Sequence, residues 1–343
     1  MKITRAEFDR AAEATGLEAE RAAALWQCLE QSRTAPAFTG TNVLFYAGAL
    51  IVIAAMTLYV GQHWATFSGN AIVGIGLAYG AVFLVAGEVL TRRTDALRIA
   101  GGLCVTVTLA MVPMITYGIQ HDLGLWPGGE PGAYGEFTDY IRGGWFVMEV
   151  ATLAVGALLL QRYRFPFLLF VLGVVLWFMS MDLAPLLHAG EDWWEIRREV
   201  SIVFGALMLI AAYGVDLRFR RDFAFWLYLF GMMTFWGGVT AASDSTEVAR
   251  FLYCLLNVLL IALGVFLRRR VFMVFGVLGV MGYFGHLAFD LFAGSPWFPF
   301  ALSGVGVVLL VVGYAVLKTR DRLRAWAEAC IPPALQRLRP DRG

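Results

Sequence analysis

The chain has 343 residues, 59% of them hydrophobic and 15% charged, with a formal net charge of +1 and a mean hydropathy of +0.68. Soluble domains carry about a quarter charged residues. A water-soluble fold of this length is therefore excluded by the apolar surface it would have to hide, and lipid is the expected solvent. The near-zero net charge also excludes a nucleic-acid binder, which needs clustered surplus cations.

Residues 1–40 read as a short cytoplasmic helical segment. Thr4-x-x-Glu7 and Thr15-x-x-Glu18 both fit the capping box, in which a hydroxyl and a carboxylate satisfy the free N–H groups of a helix start. The second precedes a periodic stretch opened by Leu17. Phe8, Leu25, Trp26 and Leu29 supply an apolar side, and Glu13, Glu18, Glu20 and Glu30 a solvated one. Such a prefix either packs on the inner face of the membrane domain or docks a cytoplasmic protein partner. The segment lacks the apolar region of a secretory signal. Thr34–Gly40, with Pro36, reads as a linker.

Residues 41–318 predict ten membrane spans, near 42–61, 68–89, 99–120, 143–161, 165–182, 199–216, 222–242, 250–267, 271–291 and 297–317. Each approaches the roughly 20 residues a helix needs to cross the hydrocarbon core. The apolar runs lack the period-2 alternation of a membrane barrel. The expected fold class is therefore all-α, a polytopic helix bundle in a lipid bilayer. Every second connector is basic: Arg92, Arg93 and Arg98; Arg162 and Arg164; Arg218, Arg220 and Arg221; Arg268, Arg269 and Arg270. This is the positive-inside pattern. Of the 27 Lys and Arg residues, only Arg142, Arg197, Arg198 and Arg250 fall on the outer side. Both termini are then expected in the cytoplasm, and the basic tail 319–343 agrees. That tail carries an amphipathic stretch around Leu323, Trp326, Ile331 and Leu335, interrupted at Pro332–Pro333. Of the outer connectors, 121–142 carries Pro-Gly turn signals, and 183–198 holds Trp193–Trp194, which suits a short helix at headgroup level. Pro113 predicts a bend in the third span.

The spans echo one another. Arg162-x-Arg164 leads to Leu172-Gly173-Val174, and 106 positions later Arg268-x-Arg270 leads to Leu278-Gly279-Val280. The expected unit is a helical hairpin repeated in parallel through the membrane, with spans 2–3, 4–5, 6–7 and 8–9 paired. Gly276, Gly279, Gly282 and Gly285 form a small-residue stripe in span 9, and Gly76 and Gly80 a shorter one in span 2. Such stripes let helix backbones approach closely. Packing within the chain is the first reading and contact in a homo-oligomer the second.

Ionisable groups within a bilayer are costly and point to function. Glu149 lies about two turns into span 4, Asn257 near the middle of span 8, and His286 and Asp290 four apart on one face of span 9. These four residues are the candidate polar site. Glu88, Asp182 and Asp216 fall near span ends, where they reach headgroups. All four histidines (His63, His121, His188 and His286) lie on the expected outer side. Separate histidines at the membrane interface are the first reading; with Glu149, Asp182 and Asp290 they could instead build an outward-facing proton-linked pocket or metal site, although none has metal-ligand spacing. Cys28, Cys104, Cys254 and Cys330 form no Cys-x-x-Cys pair, so neither a disulfide framework nor a thiolate metal site is expected. Phosphate-loop, His-Glu-x-x-His and Gly-x-Ser-x-Gly motifs are missing. No cofactor, metal or catalytic residue is implied.

The stretches Leu17–Leu29 and Arg268–Leu317, with Phe275-Gly276-Val277-Leu278-Gly279 and Phe298-Pro299-Phe300-Ala301-Leu302, carry a likeness of pattern. The layout resembles an uncharacterised bacterial family of predicted membrane proteins, the domain of unknown function 2157 type. The resemblance implies a bacterial inner-membrane location and brings no activity with it. Two function classes follow from the residues: a small-solute transporter or channel-like protein, and a non-transporting scaffold or sensor that recruits a partner through residues 1–40. A membrane enzyme ranks behind both, because no acid–base constellation is visible.

Overall fold

The computed structural model describes residues 5–32, 40–63, 67–93, 97–126, 145–187, 193–219, 223–242, 246–287 and scattered positions between 297 and 311. Its ordered elements among these residues are twelve helices: α1 (Arg5–Ala14), α2 (Ala19–Ser32), α3 (Gly40–His63), α4 (Gly69–Arg93), α5 (Arg98–Ala110), α6 (Val112–Asp122), α7 (Phe146–Tyr163), α8 (Leu168–Leu187), α9 (Trp193–Arg218), α10 (Ala224–Ala242), α11 (Glu247–Leu267) and α12 (Arg270–His286). The chain divides into two units, residues 1–48 and 49–343.

In the first unit, α1 and α2 pair around a small core. Ala12, Ala22 and Trp26 are buried, and the Phe8 and Trp26 rings meet at 5.2 Å. Leu25, expected on the apolar side, points outward. Thr15 does not cap α2. Its hydroxyl donates to Ala11 O at 2.8 Å, and Leu17 N–H donates to Ala12 O at 2.9 Å, so the pair closes the end of α1. Gly16 supplies the left-handed residue of that turn at φ +67°. Thr4, of the other proposed box, lies outside the described residues.

In the second unit the segments expected as spans coincide in order with α3, α4, the pair α5–α6, and α7 through α12. Length and composition suffice for crossing a membrane in six: Gly69–Arg93, Arg98–Asp122, Phe146–Tyr163, Glu195–Arg218, Ala224–Ala242 and Glu247–Leu267. Three further apolar helical stretches are shorter: Val43–Met56, Leu168–Ala184 and Arg270–His286. Val82, Leu158, Ile210 and Leu259 all face outward on their helices. An apolar exterior on helices of this length belongs to a membrane protein. Most of 297–317, and all of 319–343, lie outside the described residues.

Neighbours in sequence are neighbours in space. The most extensive pairings are α9 with α10, α11 with α12 and α4 with α5–α6, and α7 packs on α8 and α6. Helix α8 also packs on α5, α9 and α10, and α12 on α10. Their common core includes Val105, Leu109, Leu168, Tyr228, Met232 and Phe272. The break between α5 and α6 falls at Met111, whose N–H donates to Thr108 O at 3.2 Å. Pro113 offers no N–H to Leu109 O, and one tightened turn fills the gap. Trp193 and Trp194 form no separate surface helix; they open α9, which continues unbroken to Arg218.

A glycine seam joins α4 to α5–α6. Gly69, Gly76, Gly80 and Gly87 all lie buried on α4. A Cβ on Gly76 would stand 2.6 Å from Ile115 Cγ1, and one on Gly87 would stand 3.0 Å from Gly101 O. Gly80 O accepts a hydrogen bond from the Thr108 hydroxyl at 3.1 Å. Gly69 and Gly87 therefore extend the Gly76–Gly80 pair expected from the sequence along the whole crossing. The stripe on α12 behaves differently along its length. Gly276 and Gly279 pack on α11, whereas a Cβ on Gly282 or Gly285 would meet nothing within 4 Å.

Two turns share an uncommon backbone. Arg164 closes α7 at φ 45°, and Arg268 closes α11 at φ 55°, both left-handed. Matching turn to turn pairs Arg164 with Arg268, two residues out of register with the echo read from the sequence.

Candidate functional site

Three buried polar clusters stand out among the described residues of the second unit. The first lies at the inner ends of α9 and α10, on the expected orientation. Asp216 sits on the last turns of α9, where the helix dipole disfavours an anion. The left-handed Arg268 reverses the chain, and Arg269 N–H donates to Gly264 O at 2.9 Å. This turns the Arg269 side chain inward. Its Nε donates to Asp216 Oδ2 at 2.9 Å and its Nη2 to Asp216 Oδ1, a bidentate pair whose side chains are 4% and 2% exposed. The guanidinium carbon lies 5.0 Å from the centre of the Tyr228 ring, and the Tyr228 hydroxyl donates weakly to Asp216 Oδ2 at 3.4 Å. One ion pair thus ties α9, α10 and the α11–α12 turn. Asp216 and Arg269, expected at the membrane surface, are instead buried against each other, while Arg268 and Arg270 stay exposed. The signal was the lone carboxylate closing an apolar run opposite three consecutive arginines, since buried charges pair.

The second cluster joins α10 to α11. Asn257 is fully buried; its Oδ1 accepts from Trp236 Nε1 at 3.0 Å and its Nδ2 donates to Tyr253 O at 2.8 Å. The amide lies directly on Gly279, where no other residue would leave room for it. The Tyr253 and Thr240 hydroxyls share a 3.0 Å bond nearby. Bonded on both ends, Asn257 acts as a packing residue that holds α10, α11 and α12 together. Near the end of α12, His286 meets Arg250 Nη1 at 2.8 Å and Glu247 Oε2 at 3.2 Å. Asp290, its expected partner, lies outside the described residues.

The third cluster gathers on α7, α8 and α9. Helix α7 begins at Phe146, so Glu149 falls in its first turn, not two turns in. Glu149 is 5% exposed, and neither carboxylate oxygen has a hydrogen-bond partner among the described residues. Asp182 of α8, only 2% exposed, acts on it electrostatically, and Asp182 in turn acts on the half-buried Arg197 of α9. Asp182 is therefore an interior group and no headgroup contact. Thr152 and Ser180, also buried, turn their hydroxyls back to their own helices, to Met148 O and Trp177 O, both at 2.6 Å.

The three candidate residues that the structure describes have separate surroundings: Glu149 with Asp182, Asn257 with Trp236, His286 with Arg250 and Glu247. Glu88 lies nearer the surface. Its Oε1 accepts from Arg92 Nε at 2.8 Å and Arg162 Nη2 at 2.7 Å, a link between α4 and α7. No group of three or more His, Cys, Asp or Glu residues that could hold a metal ion occurs among the described residues. Compared with protein-family models, curated proteins and solved structures, the chain matches none of them.

Proposed function

We propose that this chain is a ten-span protein of a bacterial inner membrane, both termini in the cytoplasm, that carries a small solute across the bilayer. The observation that supports transport is Glu149. A carboxylate buried in an apolar bundle without a hydrogen bond costs stability, and a bound solute recovers that cost. The shorter apolar helices α3, α8 and α12, with the segment 297–317, complete the ten spans. The basic connectors support the orientation, and the likeness of layout to the domain of unknown function 2157 group supports the bacterial setting. On this reading Glu149 and Asp182 line the outer half of the path. Asn257 serves the scaffold.

A second reading rests on the separate helical pair α1–α2 with its outward Leu25: a scaffold or sensor that recruits a cytoplasmic partner. Full-length protein in proteoliposomes loaded with a pH dye separates the two when a potassium or sodium gradient is imposed. A transporter shows a dye response that survives deletion of residues 1–34 and is lost in Glu149→Gln. A response absent from the wild type, or unchanged by Glu149→Gln, overturns the transport reading. Cysteines introduced in the 162–164 and 268–270 turns should label from the same face, and labelling from opposite faces overturns the topology.

A further inference from the structure

Glu88 gathers two arginines from helices far apart in the chain. Its Oε1 accepts from Arg92 Nε at 2.8 Å, one turn further along α4, and from Arg162 Nη2 at 2.7 Å, on the last turn of α7. The two nitrogens are no farther apart than the sum of those bonds, 5.5 Å. One phosphate group bridges such a span with two of its oxygens. The Tyr163 ring backs the second arginine, its centre 5.2 Å from the guanidinium carbon of Arg162. Among the described residues neither guanidinium meets a second carboxylate. Two cations on one anion leave the cluster positive, and each guanidinium keeps N–H donors that Glu88 does not use. The carboxylate is mostly covered, at 25% side-chain exposure, while Arg92 and Arg162 are 70% and 60% exposed. The remaining donors are open to a ligand.

The helices that carry these arginines decide what lies outside them. Val85 and Val89 on α4 and Leu158 on α7 are all exposed. Val89 stands three residues before Arg92, and Leu158 four before Arg162, so each apolar side chain shares a helix face with its arginine. An outward apolar face lies against acyl chains, and headgroups begin where that face turns basic. We propose that Arg92 and Arg162, held together by Glu88, bind the phosphate of one anionic phospholipid, whose acyl chains run along Val85, Val89 and Leu158. The planar guanidinium fork matches phosphate oxygens, and here two forks from two helices converge. A zwitterionic lipid brings its own cation to a cluster that is already positive, which disfavours it. A phosphate shared by both arginines adds a second tie between α4 and α7. The site requires that the helices lie in a bilayer; it depends neither on transport nor on which leaflet the arginines face.

Native mass spectrometry of the full chain in detergent micelles, titrated with phosphatidylglycerol or phosphatidylcholine, tests the site. The wild type should retain one phosphatidylglycerol in preference to phosphatidylcholine. Arg92→Gln and Arg162→Gln should each weaken that retention by about tenfold or more, the loss expected for a charge-assisted hydrogen bond. Arg162→Gln also removes the link between α4 and α7. Arg92→Gln leaves that link in place and reads the site without disturbing it. Arg93→Gln takes an exposed charge from the same helix end and should weaken retention far less. Equal retention of the two lipids by the wild type, or retention of neither, overturns the site. So does unchanged retention in Arg92→Gln, or a loss in Arg93→Gln as large as that in Arg92→Gln. Incubation with sodium phosphate before exchange into volatile buffer, compared with sodium chloride at equal ionic strength, should leave the lipid bound. Displacement by phosphate alone would give the arginines to a soluble anion and overturn the lipid as their occupant.

Discussion

Removing one half of the inner ion pair tests the packing of three helices at once. In Arg269→Ala, Asp216 keeps its burial at 2% side-chain exposure and loses both guanidinium bonds, while the 3.4 Å contact from Tyr228 stays. Breaking a buried pair from one side costs about 3–5 kcal/mol, because a charge is stranded where water cannot reach it. The folded-to-unfolded ratio should therefore fall by more than about two orders of magnitude. Unfolding in detergent micelles by increasing dodecyl sulfate, followed through tryptophan fluorescence, measures this directly. Arg268→Ala and Arg270→Ala are the controls, because those side chains are exposed in the same turn. The double variant Asp216→Leu with Arg269→Met should recover most of the loss, as well-packed apolar replacements of buried pairs do. If Arg269→Ala costs no more than Arg268→Ala, the pair does not hold the helices and the account of this corner is wrong.

Three more outcomes follow from the same geometry. Gly279→Ala drives a methyl into the Asn257 amide and should destabilise by about 1–3 kcal/mol, whereas Gly282→Ala, facing open space, should be neutral in the same denaturation assay. Trp236→Phe leaves the buried Asn257 Oδ1 without its 3.0 Å donor and should cost about 1–3 kcal/mol; an unchanged midpoint would show that the oxygen finds another donor. Glu149→Leu removes a buried carboxylate that has no hydrogen bond and should raise stability by about 1–3 kcal/mol. A drop in stability would mean that Glu149 has a structural partner.

The helices were legible in the sequence because lipid leaves few alternatives: runs such as 68–89 and 250–267 had to satisfy their backbone internally, and they appear as α4 and α11. Pro113 likewise announced the break at Met111. Side-chain destinations were much less legible. Glu88, Asp182 and Asp216 look alike as single carboxylates near the ends of apolar runs, yet Glu88 meets surface arginines and the other two are interior. What separates them is which neighbouring helix lies beside them, and hydropathy carries no such information. Arg269 was grouped with Arg268 and Arg270 for the same reason; only the left-handed turn selects the middle arginine for burial. Thr15 shows the limit of short motifs, since a hydroxyl between two helices can close the first as readily as open the second. Glycines 76 and 279 were found by spacing, but spacing alone does not distinguish Gly279, covered by an amide, from Gly282, covered by nothing.

Glycine is the usual occupant of a left-handed helix end, because a side chain there costs about 1–2 kcal/mol. This chain spends arginine at two such corners, Arg164 and Arg268. On the proposed orientation both corners face the cytoplasm, so each arginine adds to the positive charge of its turn at the residue that reverses the chain. Exchanging both for glycine would then relax the two corners and leave the turns basic through Arg162, Arg269 and Arg270.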